Sequence, residues 1–107
     1  DPQNPDLYPK IYPNPKVIEG YEGEITIEWF KPAEGEVRIK IYNIAGELVK
    51  QIKANLADKS VKWNLKTESG ASASSGTYVV VLDAKKATGE KEIKVKKCSI
   101  IKSGKAN

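Results

Sequence analysis

The sequence predicts an all-β antiparallel sandwich of about seven strands, and three observations carry that prediction. Apolar residues recur at every second position in separate short runs, the signature of half-buried strands. Glycine, proline and small polar residues punctuate those runs at short intervals. No window sustains the 3.6-residue period of a helix.

The elements follow in order. Five of the six prolines fall within residues 1–15. Proline fixes φ and deletes a backbone donor, so this stretch is extended and poorly paired. Residues 1–7 read as a linker from an upstream domain. The next residues, up to Tyr12, suit a sheet edge, where missing donors are tolerated. The first clear strand has Ile25, Ile27 and Trp29 inward, alternating with Thr26, Glu28 and Phe30. Pro32 and Gly35 end it. Val37, Ile39 and Ile41 then alternate with Arg38, Lys40 and Tyr42. Residues 47–52 resume the pattern after Asn43-Ile44-Ala45-Gly46. A loop ending in glycine between two such runs predicts a hairpin with a type I turn and a G1 bulge, Gly46 supplying the positive φ.

Val61, Trp63 and Leu65 mark the next strand, and residues 66–76 form a loop by composition. Residues 77–82 are apolar or β-branched on both faces, which predicts a strand that is central or covered on both sides. A turn at residues 86–90 carries Gly89. In the last strand Ile93 and Val95 have one parity, Cys98 and Ile100 the other. A bulge near Lys96 and Lys97 would bring all four to the core. The sandwich should span residues 8–102, with residues 103–107 as a tail.

Composition removes most catalytic chemistry. At 107 residues and 11.8 kDa the chain has room for one domain. It has no histidine and one cysteine, so a Ser-His-Asp or Cys-His arrangement, an internal disulfide and a zinc knuckle are all excluded. No phosphate-cradling glycine motif occurs. A Ser-Lys pair or a two-carboxylate site has no local signature. We expect no enzyme activity, no catalytic residue, no cofactor and no metal. No apolar run approaches the ~18 residues of a membrane span. The lack of methionine marks a fragment or processed product.

The net charge of +4 is uneven, because residues 1–35 hold three lysines against seven acids. Seventeen of the eighteen basic residues are lysine, the exception being Arg38. Nucleic-acid readers favour arginine for bidentate contacts, so no nucleic-acid partner is expected.

Four blocks, in order, then carry a family resemblance. They are Tyr12-Pro13-Asn14-Pro15, residues 37–49 with Ile41-Tyr42-Asn43-Ile44-Ala45-Gly46-Glu47-Leu48-Val49 at their centre, Trp63 with Gly70, and Ser75-Gly76-Thr77-Tyr78. A lysine-rich last strand, residues 91–97, completes them. The pattern resembles the FlgD-like Ig domain family and is similar to the C-terminal sorting domains of the type IX secretion system. Where that pattern usually has Trp-Asp-Gly, this chain has Trp63-Asn64-Leu65. The resemblance implies an Ig-like sandwich near the C-terminus of a larger secreted or surface bacterial protein, reaching the outside through the periplasm.

Each block also has a plain folding role. Pro13 and Pro15 protect an edge. Asn14 can hold the bend. Gly46 meets a backbone requirement, Gly76 permits a tight strand entry, and Trp63 and Tyr78 belong to the structural set. The leading functional reading is a non-catalytic spacer, scaffold or attachment module whose partners are the upstream domains of its own chain. A sorting domain read by a secretion translocon or a cell-surface component is the second reading. A carbohydrate-binding module on a hydrolase is the third, with Phe30 and Tyr42 as the only outward platform. Lys91, Lys94, Lys96 and Lys97 join those aromatics as the candidate interaction surface. Oligomeric state is not legible in the residues.

Overall fold

The computed structural model describes residues 9–12, 14, 16–18, 23–29 and 34–102. The expected linker at 1–7, the tail at 103–107, Phe30, Pro13 and Pro15 lie outside the described residues.

Among the described residues, eight strands form the two sheets of a sandwich. They are β1 (Pro9–Tyr12), β2 (Lys16–Ile18), β3 (Ile25–Trp29), β4 (Gly35–Asn43), β5 (Leu48–Asn55), β6 (Ser60–Trp63), β7 (Gly76–Lys86) and β8 (Lys91–Lys102). The smaller sheet has the order β1-β3-β6 and the larger one β2-β8-β7-β4-β5. Seven of them correspond to the six strands read from periodicity and the proline-marked edge. The eighth, β2, is three residues long and runs parallel to the end of β8. Every other pairing is antiparallel. The chain therefore switches sheets between β1 and β2, as the first strand of an Ig-like sandwich can.

One core lies between the sheets. The alternating residues Ile25, Ile27 and Trp29 of β3 face Val37, Ile39 and Ile41 of β4, and all six are at most 1% exposed. Each tryptophan carries its polar atom inside with a partner, because an unpaired buried donor would be costly. Trp29 Nε1 donates to the Leu56 carbonyl at 2.8 Å, and Trp63 Nε1 donates to the Lys66 carbonyl at 2.9 Å. Leu56 opens a 3-10 turn, Leu56–Asp58, that periodicity did not reveal.

The hairpin between β4 and β5 forms as predicted. Gly46 has φ +86°, its N–H donates to Asn43 O at 3.0 Å, and Asn43 N–H donates to Glu47 O at 3.0 Å. The Asn43 carboxamide oxygen accepts from the amides of Ala45 and Glu47, which holds the turn from within. The turn at Gly89 repeats the backbone pattern, with Lys86 N–H on Glu90 O and Gly89 N–H on Lys86 O.

Leu65 stands at the position where the family pattern usually has glycine, and its φ is +63°. A left-handed leucine costs about 1–2 kcal/mol. Its side chain is buried, a gain of about 1.5–3 kcal/mol that offsets the strain. The neighbouring Asn64 Oδ1 accepts from Lys66 N–H at 3.2 Å, so an amide oxygen serves this turn without a carboxylate.

The last strand corrects one expectation. β8 pairs with β7 over ten successive positions, from Gly76 opposite Ile100 to Lys85 opposite Lys91, with no register shift. There is no bulge at Lys96 and Lys97. Cys98 and Ile100 face the core, and the unbroken pleat sends Ile93 and Val95 to the outer face, where they are 61% and 58% exposed. The inward parity in this half of β8 goes to Glu92, Lys94 and Lys96 instead. Glu92 lies 3.1 Å from the Lys86 ammonium and 3.8 Å from that of Lys94. The Glu92 carboxylate, hydrogen-bonded to Lys86, holds that ammonium above its ordinary pKa. Among the described residues the first half of β8 has no strand beyond it, because β2 covers only Ile100 to Lys102. Long charged side chains can therefore leave the core side at that edge.

Candidate functional site

The described residues contain no group of three or more His, Cys, Asp or Glu side chains able to hold a metal ion. The feature with the character of a site is the outer face of the larger sheet. Strand pairing lays it out in rows. Val95, Val81, Lys40 and Gln51 form one row. Lys97, Val79, Tyr42 and Leu48 form the next. On the other side Ile93, Asp83, Arg38 and Lys53 line up, followed by Lys91, Lys85, Glu36 and Asn55. The centre is aliphatic, with Val95 directly opposite Val81. Around it stand six cations and two carboxylates. One of those carboxylates, Asp83, is engaged by Lys40 at 3.5 Å.

The pleat divides the four candidate lysines. Lys91 and Lys97 lie on this outer face beside Ile93 and Val95. Lys94 and Lys96 share the other parity with Cys98, so the four do not form one strip. Tyr42 is on the outer face as expected, half-buried between Val79 and Leu48. Both tryptophans are inside. Sequence reading missed Ile93, Val95 and Val81 as surface residues. The signal was present in residues 77–82, apolar on both parities, and in the parity conflict along β8.

The structural candidates occupy distinct places. Asn14 sits where the chain changes sheets, and its carboxamide reaches the far end of the sequence. Nδ2 donates to Lys97 O at 3.2 Å, and Oδ1 accepts from Ser99 N–H at 3.1 Å. The amide thus acts as one short rung of strand beside β8 rather than holding a local bend. Gly76 opens β7 with φ +150°. Tyr78 meets Trp63 edge to face at 5.6 Å between ring centres, and its hydroxyl donates to Ser74 O at 2.6 Å. Burial raises the pKa of this phenol, partly countered by the Ser74 bond. Cys98 is buried against the same tyrosine's strand, and desolvation pushes its thiol up from 9.0 to about 11.

The profile of the secretion system C-terminal sorting domain family matches residues 10–96. The chain belongs to that family. The matched span takes in β2 to β7 and the first half of β8, including the aliphatic and basic outer face. No curated protein matches the sequence. Among solved structures, the sorting domain is similar to part of PorZ, described as an essential bacterial surface component of the type-IX secretion system of Porphyromonas gingivalis. The identity is 26% and the TM-score 0.62, over 87% of this chain and 11% of that one. It is also similar to part of dimeric latent PorU from the same organism, at 19% identity and TM-score 0.69, over 89% of this chain and 9% of that one. The chain thus spans about a tenth of each of those proteins. CopC from Methylosinus trichosporium OB3b shares the fold at 13% identity and TM-score 0.61, over 91% of this chain and 95% of that one. Membership of the sorting family makes this a domain of a secreted or cell-surface protein that is linked to a secretion system. No helix among the described residues is long and apolar enough to cross a membrane.

Proposed function

We propose that this domain is the export signal of its parent protein, read in folded form by the type IX secretion machinery, and that it does no chemistry itself. The observation that carries the reading is the family match across residues 10–96, nearly the whole sandwich. A single closed core with no unpartnered buried side-chain polar atom among the described residues supports recognition of a rigid surface rather than of a flexible tail. This reading takes the place of a passive spacer, which the sandwich would also serve mechanically. Residues 1–7 then act as the linker to the upstream part, and residues 103–107 as a tail outside the recognised body.

The test is export of a reporter. A periplasm-directed fluorescent protein is fused to the full 107-residue chain and expressed in a bacterium that has the type IX system. Reporter on the cell surface or in the medium is the expected result, and loss of the system should return it to the periplasm. Retention in the periplasm of a fusion whose domain melts cooperatively would reject the reading.

A further inference from the structure

We infer that the outer face of the larger sheet docks a folded protein that is acidic around an apolar centre, and that this contact is the one through which export recognition occurs. The inference rests on the sorting reading above and adds to it the face and the chemistry of the partner.

Three properties of the face select that occupant. Ile93 and Val95 are β-branched aliphatic residues held in a strand and more than half exposed, beside Val79 and Val81. Isolated exposed apolar residues need no explanation, but a contiguous aliphatic centre on a sheet face marks an interaction site. The rim is basic, with Lys91, Lys97, Arg38, Lys85, Lys53 and Lys40 against Glu36 and Asp83. Complementarity therefore calls for carboxylates on the partner. A second copy of this face would bring cations onto cations, so self-association through it is disfavoured.

The shape and composition narrow the class further. The aliphatic centre is a pleated surface, and an open hollow lined by Glu36, Arg38, Asp83, Lys85 and Lys91 lies in the basic rim beside it, so a folded partner can set carboxylates into the rim while its apolar centre rests on Val95 and Val81. The centre of the face is aliphatic, and Tyr42 beside it is half-buried between Val79 and Leu48, so among the described residues the face offers no pair of exposed rings for sugars or bases to stack on. Its area is small. Four strands and four rows cover roughly 15 by 20 Å at usual strand spacing and rise. A patch of that size belongs with weak, transient encounters. That suits a cargo that has to be released.

The experiment uses the reporter fusion with four changes to the chain. Removal of the domain sets the zero. The outer-face variant carries Lys91→Gln, Ile93→Thr, Val95→Thr and Lys97→Gln. The opposite-face control carries Lys94→Gln and Lys96→Gln. A pair of charge reversals, Lys91→Glu with Lys97→Glu, leaves the apolar residues untouched and serves if the fourfold variant does not fold. Melting temperatures are measured first. The expected result is at least a tenfold fall in export for the folded outer-face or charge-reversed variant, with the control exporting normally. Normal export of the charge-reversed variant, while removal of the domain abolishes export, would overturn this inference and leave the sorting reading standing. Export that survives removal of the domain would overturn both. Sedimentation of the unmodified domain with anionic phosphatidylglycerol vesicles, lost on Lys91→Glu with Lys97→Glu, would make the partner a lipid surface and would also overturn the inference.

Discussion

Asn14 offers the sharpest test of how this sandwich is closed. Its carboxamide makes two hydrogen bonds to the backbone of β8, on Lys97 O and Ser99 N–H. An intramolecular hydrogen bond is worth about 0.5–1.5 kcal/mol net. Both bonds are exposed, so water replaces part of each, and Asn14→Ala should cost about 1–2 kcal/mol. For a domain of this length that is a fall of roughly 5–15 °C in melting temperature. Asn14→Asp is the more telling change, because it has almost the same shape. It keeps the acceptor for Ser99 N–H but turns the Nδ2 donor into an oxygen facing the Lys97 carbonyl. It should therefore be no more stable than Asn14→Ala, despite being nearly isosteric. Urea unfolding followed by tryptophan fluorescence reads the stability, and amide exchange at Ser99 reads the bond directly. An Asn14→Asp protein as stable as the parent, with Ser99 still protected, would show that the clamp contributes nothing and would refute this account of closure.

Gly35→Ala should cost about 2–4 kcal/mol, because a Cβ there would strike the Lys85 carbonyl oxygen and lie 2.8 Å from Lys86 Cα at φ +142°. Gly46→Ala meets nothing within 4 Å and should cost only about 1 kcal/mol, so equal costs in parallel denaturant melts would contradict the difference in packing. Trp63→Ala should lose about 3–5 kcal/mol, enough to unfold a domain this small, and circular dichroism at room temperature would detect it. Burial pushes the Cys98 thiol pKa to about 11 in the folded protein, against 9.0 for an unburied cysteine. Between those values the folded state binds the extra proton, so its stabilising contribution is complete below pH 9.0 and is lost as the pH rises towards about 11. Cys98→Ala should remove that part of the alkaline decline, on the order of 1–2 kcal/mol, and an unchanged pH profile would place the thiol in water.

The fold was largely legible because strand period and turn chemistry are local. Residues 37–49 contain everything the hairpin requires, and the observed Gly46 turn matches the expected one. The misses are non-local. β2 is three residues long, too short to show a period, and exists because it lies beside Ile100 to Lys102. The absence of a bulge in β8 has a similar cause. Alternation identifies two faces but not which one is buried, and reading the apolar parity of Ile93 and Val95 as inward presumed that only one face of the sheet is apolar. The candidate surface was half visible for the same reason. A row of lysines counted along the sequence looks continuous, but the pleat separates Lys91 and Lys97 from Lys94 and Lys96. The aliphatic residues that give the surface its character were assigned to the core.

The Asn14 clamp and the parallel β2–β8 pair also set a timetable. Asn14 meets partners 83 and 85 residues further along the chain, and β2 meets the last residues of β8. Contacts of such separation form late, because a large loop must close before they give any return. A ribosome that has released residues 1–90 has delivered β1 to β7 but nothing for β2 or Asn14 to hold. Until then Tyr78, Val80 and Leu82 sit on what is still the open margin of the larger sheet. The domain therefore stays unsealed throughout the synthesis of everything N-terminal to β8, and its surface comes into being only once that strand has docked.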